Sequence, residues 1–81
     1  MSIELDLHRM TVDEALPEVD DFLNDMYSSG IHYCYIIHGK GTGVLKREVG
    51  RYLANHPLVK SYHQADQFSG GFGATEVELR D

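Results

Sequence analysis

The sequence predicts a small α/β fold with the element order β-α-β-α-β-β. Short segments near both ends of the chain alternate apolar and polar residues, which is typical of half-buried strands. Two longer segments carry apolar residues at helical spacing, and the continuous apolar run of residues 33–37 separates them. Alternation of helices and strands favours right-handed β-α-β units, so we expect parallel strands.

The first half of the chain predicts a strand, a capped helix and a second strand. Residues 3–7 alternate so that the odd-numbered side chains face the core. A capping box that begins at Thr11 precedes a helical pattern reaching Met26, and Gly30 ends it. The uninterrupted apolar character of residues 33–37 predicts a central strand covered on both faces.

The second half predicts one helix and two strands. The helix begins near Val44 and ends at residues 55–57, which read Asn-His-Pro. Residues 59–65 form a weaker strand pattern because they include several polar side chains. Residues 66–73 predict a loop, and residues 74–79 alternate as a fourth strand.

Length and composition indicate one domain over residues 1–81 in a reducing, cytoplasmic location. Its single cysteine, Cys34, excludes an internal disulfide and is predicted to be a buried thiol. No apolar segment is long enough to span a membrane. The net charge of −6 is unevenly spread, because residues 10–30 hold six acids and residues 39–60 hold five bases and one acid. We interpret the acids as the solvated face of the first helix.

The loop after the second predicted strand is the strongest candidate for a phosphate-binding segment. Alternate glycines allow tight bends and close approach to a ligand, and a following helix presents backbone N–H groups to an anion. The spacing fits neither a Walker A motif nor a dinucleotide fingerprint. The alternative is a tight structural turn. The predicted phosphate-binding residues are Gly39, Lys40, Gly41, Thr42 and Gly43, and His38 is a candidate catalytic proton donor.

Asp6 and His8 are a candidate acid–base pair at the end of the first strand. Positions i and i+2 of a strand point to the same side, and a carboxylate beside an imidazole orients the ring as a general base requires. The same pair could ligate a divalent cation. The alternative is a solvated strand end. The five histidines lack zinc-ligand spacing, so we predict no structural zinc site.

Two further groups are candidate substrate-binding residues. Lys46, Arg47 and Arg51 lie on the second predicted helix and could follow a nucleic-acid backbone, or they could be an ordinary solvated face. In the glycine-rich loop before the last strand, Phe72 could stack on a base or cap the core. Gly71 and Gly73, which flank Phe72, are also candidate substrate-binding residues.

Three blocks of the sequence together resemble the small MutS-related (Smr) domain over about residues 3–79. They are Leu5-Asp6-Leu7-His8, the segment from Ile36 to Leu45, and the segment from Gly70 to Leu79. The resemblance implies a compact two-layer α/β sandwich similar to the C-terminal domain of a bacterial translation initiation factor. It also implies nucleic-acid binding and nicking endonuclease activity on DNA or RNA.

The resemblance also implies roles for individual residues and partners. Asp6 and His8 match the family's proposed catalytic positions, and residues 38–43 match its substrate-contact or catalytic loop. A glycine usually follows the first motif, whereas this chain has Arg9, which either adds a phosphate contact or obstructs one. Smr domains occur alone or at the C-terminus of bacterial MutS-like proteins linked to recombination, DNA repair and collided ribosomes. The implied partners are therefore branched or structured DNA or RNA, and the ribosome.

Three hypotheses about function follow. The first is a nuclease in which Asp6 and His8 activate water, directly or through a divalent cation such as magnesium or manganese. The second is a non-catalytic module that binds nucleic acid or the ribosome. The third is a protein-interaction domain that uses the acidic first helix.

Overall fold

The computed structural model describes residues 2–81 as one four-stranded sheet with two helices packed on the same face. The predicted element order is confirmed, with a short 3₁₀ turn added before the last strand. The elements are β1 (Glu4–Asp6), α1 (Val12–Ser28), β2 (Tyr33–Ile37), α2 (Val44–Ala54), β3 (Val59–Gln64), the 3₁₀ turn (Gly71–Gly73) and β4 (Ala74–Leu79).

The sheet is mixed, which corrects the expectation of parallel strands throughout. The spatial order is β1-β2-β4-β3, with β1 parallel to β2 and with β4 antiparallel to both of its neighbours. Three strands therefore run in one direction and β4 runs against them. The reason is that a loop, and not a helix, joins β3 to β4, and such a connection returns the chain antiparallel to the strand it leaves.

Capping and apolar periodicity explain the helices. Thr11 accepts a hydrogen bond from the backbone of Glu14, and the Glu14 carboxylate accepts one from the backbone N–H of Thr11 at 2.9 Å. This confirms the predicted capping box. The buried helix residues are Ala15, Val19, Phe22, Leu23 and Met26 of α1 and Val49 and Leu53 of α2.

Only one face of the sheet is covered, which corrects the prediction for β2. Cys34 and Ile36 are fully buried beneath the helices, and burial raises the pKa of the Cys34 thiol to about 11. Tyr33 is exposed, and Tyr35 and Ile37 are only partly buried on the other face. The sequence predicted a strand covered on both faces because aromatic and β-branched residues occupy both sides of β2. Both helices nevertheless pack on the same face of the sheet.

We call the uncovered side of the sheet the open face. Its central row consists of Glu4, Tyr35, Glu76 and His63, which are paired in register across the four strands. On β1, Leu5 is packed against the core as predicted, whereas Ile3 is exposed because it precedes the first residue of a short edge strand.

No helix within residues 2–81 combines the length and the apolar character that crossing a bilayer requires. The cytoplasmic location, the single-domain boundary at residues 1–81 and the likeness to a translation initiation factor domain stay predictions.

Candidate functional site

The three sequence blocks meet at one edge of the sheet, which we call the site edge. It consists of the carboxyl ends of β1 and β2 and the amino end of β4, because Asp6 pairs with Ile37 and Ile37 pairs with Ala74. The carbonyl of Gly73 accepts hydrogen bonds from the backbone N–H groups of His38 and Gly39, both at 3.0 Å. The end of β1, the loop after β2 and the glycine-rich segment before β4 therefore lie together at this edge.

Asp6 and His8 form a hydrogen-bonded pair at the site edge. Oδ1 of Asp6 lies 2.5 Å from Nδ1 of His8 and also accepts a hydrogen bond from the His8 backbone N–H at 3.0 Å. Both side chains are about half exposed. Because the carboxylate oxygen can only accept, Nδ1 carries the proton, and Nε2 is left with a free lone pair that has no partner within residues 2–81.

The same contacts set the charge of Asp6. The hydrogen bond from the His8 ring, helped by the one from the His8 backbone, holds the pKa of the Asp6 carboxyl below its ordinary value. Asp6 is therefore an anion at neutral pH. A fixed anion on Nδ1 sets the tautomer and the orientation of the His8 ring.

His8 lies directly against the glycine loop. A Cβ at position 39 would lie 3.3 Å from the Cβ of His8, so Gly39 allows this approach, and its φ of +78° is also one that glycine favours. The pair and the loop therefore share one site.

The loop and the N-terminus of α2 surround a cavity of about 220 Å³, which we call the loop cavity. Its lining includes Arg9, residues 38–43 and Lys46. Gly41 and Gly43 also have positive φ, and the first turn of α2 contains no acidic residue. A glycine loop, a helix N-terminus and cationic side chains surround this cavity, which is the composition of a candidate anion site.

Arg9 stands beside this cavity in a backbone conformation that favours glycine. Its φ is +74°, the only positive value at a non-glycine position within residues 2–81. A side chain in this region costs about 1–2 kcal/mol. This conformation explains why glycine is usual at this position in the family that the sequence resembles. The exposed Arg9 side chain lines the loop cavity.

His38 lies almost wholly inside the molecule, with only 4% of its area exposed, although it forms part of the lining of the loop cavity. Nδ1 lies 3.0 Å from the carbonyl of Gly39 and therefore donates, and Nε2 lies 2.9 Å from Oγ1 of Thr75 and therefore accepts. Burial lowers the pKa of His38, against a smaller opposing effect of the Gly39 carbonyl. His38 is thus a neutral ring that ties the loop to β4, and its predicted catalytic role stays a prediction.

The three basic residues of α2 are not equivalent. Lys46 lines the loop cavity, and its Nζ lies 4.8 Å from the centre of the Phe72 ring and 3.3 Å from Oε1 of Gln64. Arg47 and Arg51 both pair with Glu48, at 3.3 and 3.4 Å, and neither lines this cavity.

The loop before β4 is the part of the site that the sequence located least well. Phe72 is 64% exposed, so it does not cap the core. Phe68 in the same loop is 91% exposed and was not a candidate, although an aromatic residue outside any apolar pattern is a usable signal. Thr75 was not a candidate either, because its partner His38 is 37 positions away in sequence.

The described residues do not form a metal site on their own. No group of three or more His, Cys, Asp or Glu within residues 2–81 is arranged to hold an ion. At the site edge one oxygen of Asp6 already accepts two hydrogen bonds, and Nδ1 of His8 is occupied by Asp6. We therefore derive no step through a metal ion.

Comparisons with known proteins show the family of this chain. The Smr domain family matches residues 5–80. Endonuclease MutS2 of Caldicellulosiruptor saccharolyticus is 44% identical over 81 residues, which is 100% of this chain and 10% of that protein. The chain thus spans about a tenth of the length of the curated relatives it matches.

Two solved structures have the same fold. The Smr domain of Thermus thermophilus MutS2 superposes with a TM-score of 0.93 at 40% identity, covering 96% of this chain and 98% of that one. YdaL, a stand-alone small MutS-related protein from Escherichia coli, superposes with a TM-score of 0.92 at 32% identity, covering 98% and 65%. With the family match over residues 5–80, these likenesses establish that the chain belongs to the Smr domain family.

Proposed function

We propose that this domain binds nucleic acid at the site edge and hydrolyses a phosphodiester bond there, nicking one strand of DNA or RNA. The observation that supports the proposal is the close approach of His8 to Gly39, since an oriented imidazole would then act beside the candidate anion site. The names of the MutS2 relatives, which are called endonucleases, support the reaction class.

The proposed reaction uses groups already in place. Nε2 of His8 takes a proton from water, and Asp6 balances the positive charge that the ring acquires. The water oxygen bonds to phosphorus, the bond to the leaving sugar oxygen breaks, and that oxygen is protonated from solvent. Lys40 and the N–H groups of the loop stabilise the negative charge that grows on the phosphate oxygens.

His38 has a positioning role in this proposal. Its hydrogen bonds to Gly39 and Thr75 fix the loop relative to β4, and its two ring nitrogens are both occupied. Arg9 and Lys46 contact flanking phosphates, whereas Arg47 and Arg51 contribute to the long-range field that attracts a polyanion.

A nicking assay tests the proposal. End-labelled branched DNA, structured RNA and ribosome-bound RNA are incubated at low salt with magnesium, with manganese or with chelator. We expect the wild type to cut at least one of them and His8→Ala to bind it without cutting. Bound but uncut substrate in every wild-type lane would instead make the domain a non-catalytic binding module. If the chelator abolishes cleavage, the substrate and the protein together bind a cation that the reaction requires.

A further inference from the structure

A second cavity, of about 640 Å³, lies on the open face next to the proposed cleavage site. We call it the face cavity. Its lining includes Tyr35, Ile37 and Phe68, and it shares Gly39 and Lys40 with the loop cavity. Sites for small organic ligands range from about 300 to 1,000 Å³ and are mostly apolar, so this volume suits one nucleotide.

The face cavity adjoins the catalytic pair through the sheet register. Ile37, part of its lining, pairs with Asp6 on the neighbouring strand, and paired residues of parallel strands lie on the same face. A ligand against Ile37 is therefore one strand away from Asp6. A nucleotide in this cavity would have its own phosphate near Lys40.

Phe68 is held on an ordered turn although it contributes nothing to the core. Its backbone N–H donates to Oδ1 of Asp66 at 2.9 Å, and the Asp66 carbonyl accepts from Ser69 at 3.0 Å and from Gly71 at 2.8 Å. At Gly70 φ is +118°, and a Cβ there would lie 2.6 Å from the Cβ of Ala74. The turn thus presents an almost fully exposed ring, which is what stacking on a base requires.

Charge determines which part of a nucleic acid can reach the face cavity. The open face carries Glu4, Glu76 and Glu78, which repel phosphate. The adjoining loop cavity, which shares Gly39 and Lys40 with the face cavity, has the cationic side chains of Arg9, Lys40 and Lys46 in its lining instead. A strand bound at the site edge therefore has its backbone over the loop and its bases over the open face.

We propose that the face cavity binds an unpaired nucleobase at the scissile nucleotide, with Phe68 stacking on that base. The inference rests on the proposed function and specifies its substrate class as single-stranded or locally unpaired nucleic acid. A base inside a duplex cannot enter the cavity without leaving the stack, which is unfavourable.

The test uses short oligonucleotides that carry 2-aminopurine, whose fluorescence is quenched when the base stacks on an aromatic ring. Binding of single-stranded and duplex forms to the 81-residue chain is measured by anisotropy, and quenching is measured in parallel. We expect quenching with the wild type and with Phe68→Trp. Phe68→Ala should abolish it and weaken single-strand binding about fivefold or more, with duplex binding and Tm unchanged.

Two control variants separate failure of this inference from failure of the proposed function. Lys40→Ala should weaken the binding of both nucleic-acid forms. Tyr27→Ala removes an exposed aromatic near the end of α1, beside Asp81 and away from both cavities, and should weaken neither. If Lys40→Ala weakens binding while Phe68→Ala neither weakens it nor changes quenching, the base site is wrong and the phosphate site stands. If the wild type binds neither form, the proposed function is wrong. Equal weakening of both forms by Phe68→Ala would also overturn the base site.

Discussion

Arg9 is the residue at which backbone conformation and side-chain charge conflict. Its φ of +74° favours glycine, yet its side chain lines the loop cavity, where a cation is useful. Strained backbone is maintained where the surrounding structure fixes it, and such positions concentrate at functional sites. The positive φ was not readable from the sequence, although the missing glycine of the family motif marked the position.

Replacing Arg9 by glycine should therefore separate stability from binding. We expect Arg9→Gly to raise the free energy of unfolding by about 0.5–1 kcal/mol, since relief of the strain exceeds the added entropy of the unfolded chain. The slope of log Kd against log salt should fall by about one unit. Arg9→Lys keeps both the strain and the charge and should change neither quantity. Urea unfolding and anisotropy titrations check both, and unchanged binding by Arg9→Gly would remove Arg9 from the site.

His38 should make stability depend on pH. Because burial lowers its pKa below 6.5, the unfolded chain takes up this proton at a higher pH than the folded chain does. The contribution of neutral His38 is complete above pH 6.5 and is lost as pH falls from there towards the lower folded pKa.

His38→Gln keeps a donor and an acceptor but cannot titrate. We expect it to cost about 1 kcal/mol at neutral pH and to flatten the stability profile between pH 5 and 7. His38→Ala, which leaves the Thr75 hydroxyl without its partner, should cost about 2 kcal/mol. Urea unfolding at several pH values measures both variants. A His38→Gln profile that parallels the wild type would contradict the assigned neutral state.

Among the elements, β4 is the one whose place the sequence predicted least well. Local periodicity located all four strands and both helices, because it reports which side of each element is buried. It carried no information about pairing, so the insertion of β4 between β2 and β3 and the uncovered open face were both missed. Those features depend on contacts between distant segments, such as Ile36 with Thr75.

The glycine loop offers an element-level test with a matched control. A Cβ at position 39 meets His8, whereas one at position 41 meets nothing within 4 Å, although both residues have positive φ. Gly39→Ala and Gly41→Ala should each cost about 1 kcal/mol of stability. Only Gly39→Ala should also displace His8 and reduce the cleavage rate at saturating substrate, by about tenfold or more. Equal rates for the two variants would contradict the contact of His8 with the loop.

Across the whole molecule, opposite charges are segregated, and the net charge of −6 therefore conceals a cationic edge. Most of the acids lie on α1 and the open face, and the loop cavity has Arg9, Lys40 and Lys46. The uneven charge was visible in the sequence. The fold was needed to show that Arg47 and Arg51 pair with Glu48 while Lys40 and Lys46 line the cavity.

This charge arrangement predicts the salt dependence of binding. Removing two cations at the cavity, in Lys40→Ala with Lys46→Ala, should lower the slope of log Kd against log salt by about two units. Lys60→Ala is the control, because Lys60 pairs with Glu78 at 3.5 Å away from the site edge, and it should leave the slope unchanged. Titrations by anisotropy over a range of salt concentrations measure these slopes. Equal slopes for the double variant and the control would place the phosphate site elsewhere.

The claim that Asp6 and His8 form the catalytic pair is tested most directly by the single-turnover cleavage rate of Asp6→Asn. Asparagine keeps the shape of the side chain and removes the charge that fixes the His8 tautomer. We expect a rate about 10²- to 10⁴-fold below that of the wild type, with substrate affinity preserved. A variant that cleaves as fast as the wild type would contradict it, as would a wild type that binds through Lys40 yet never cuts.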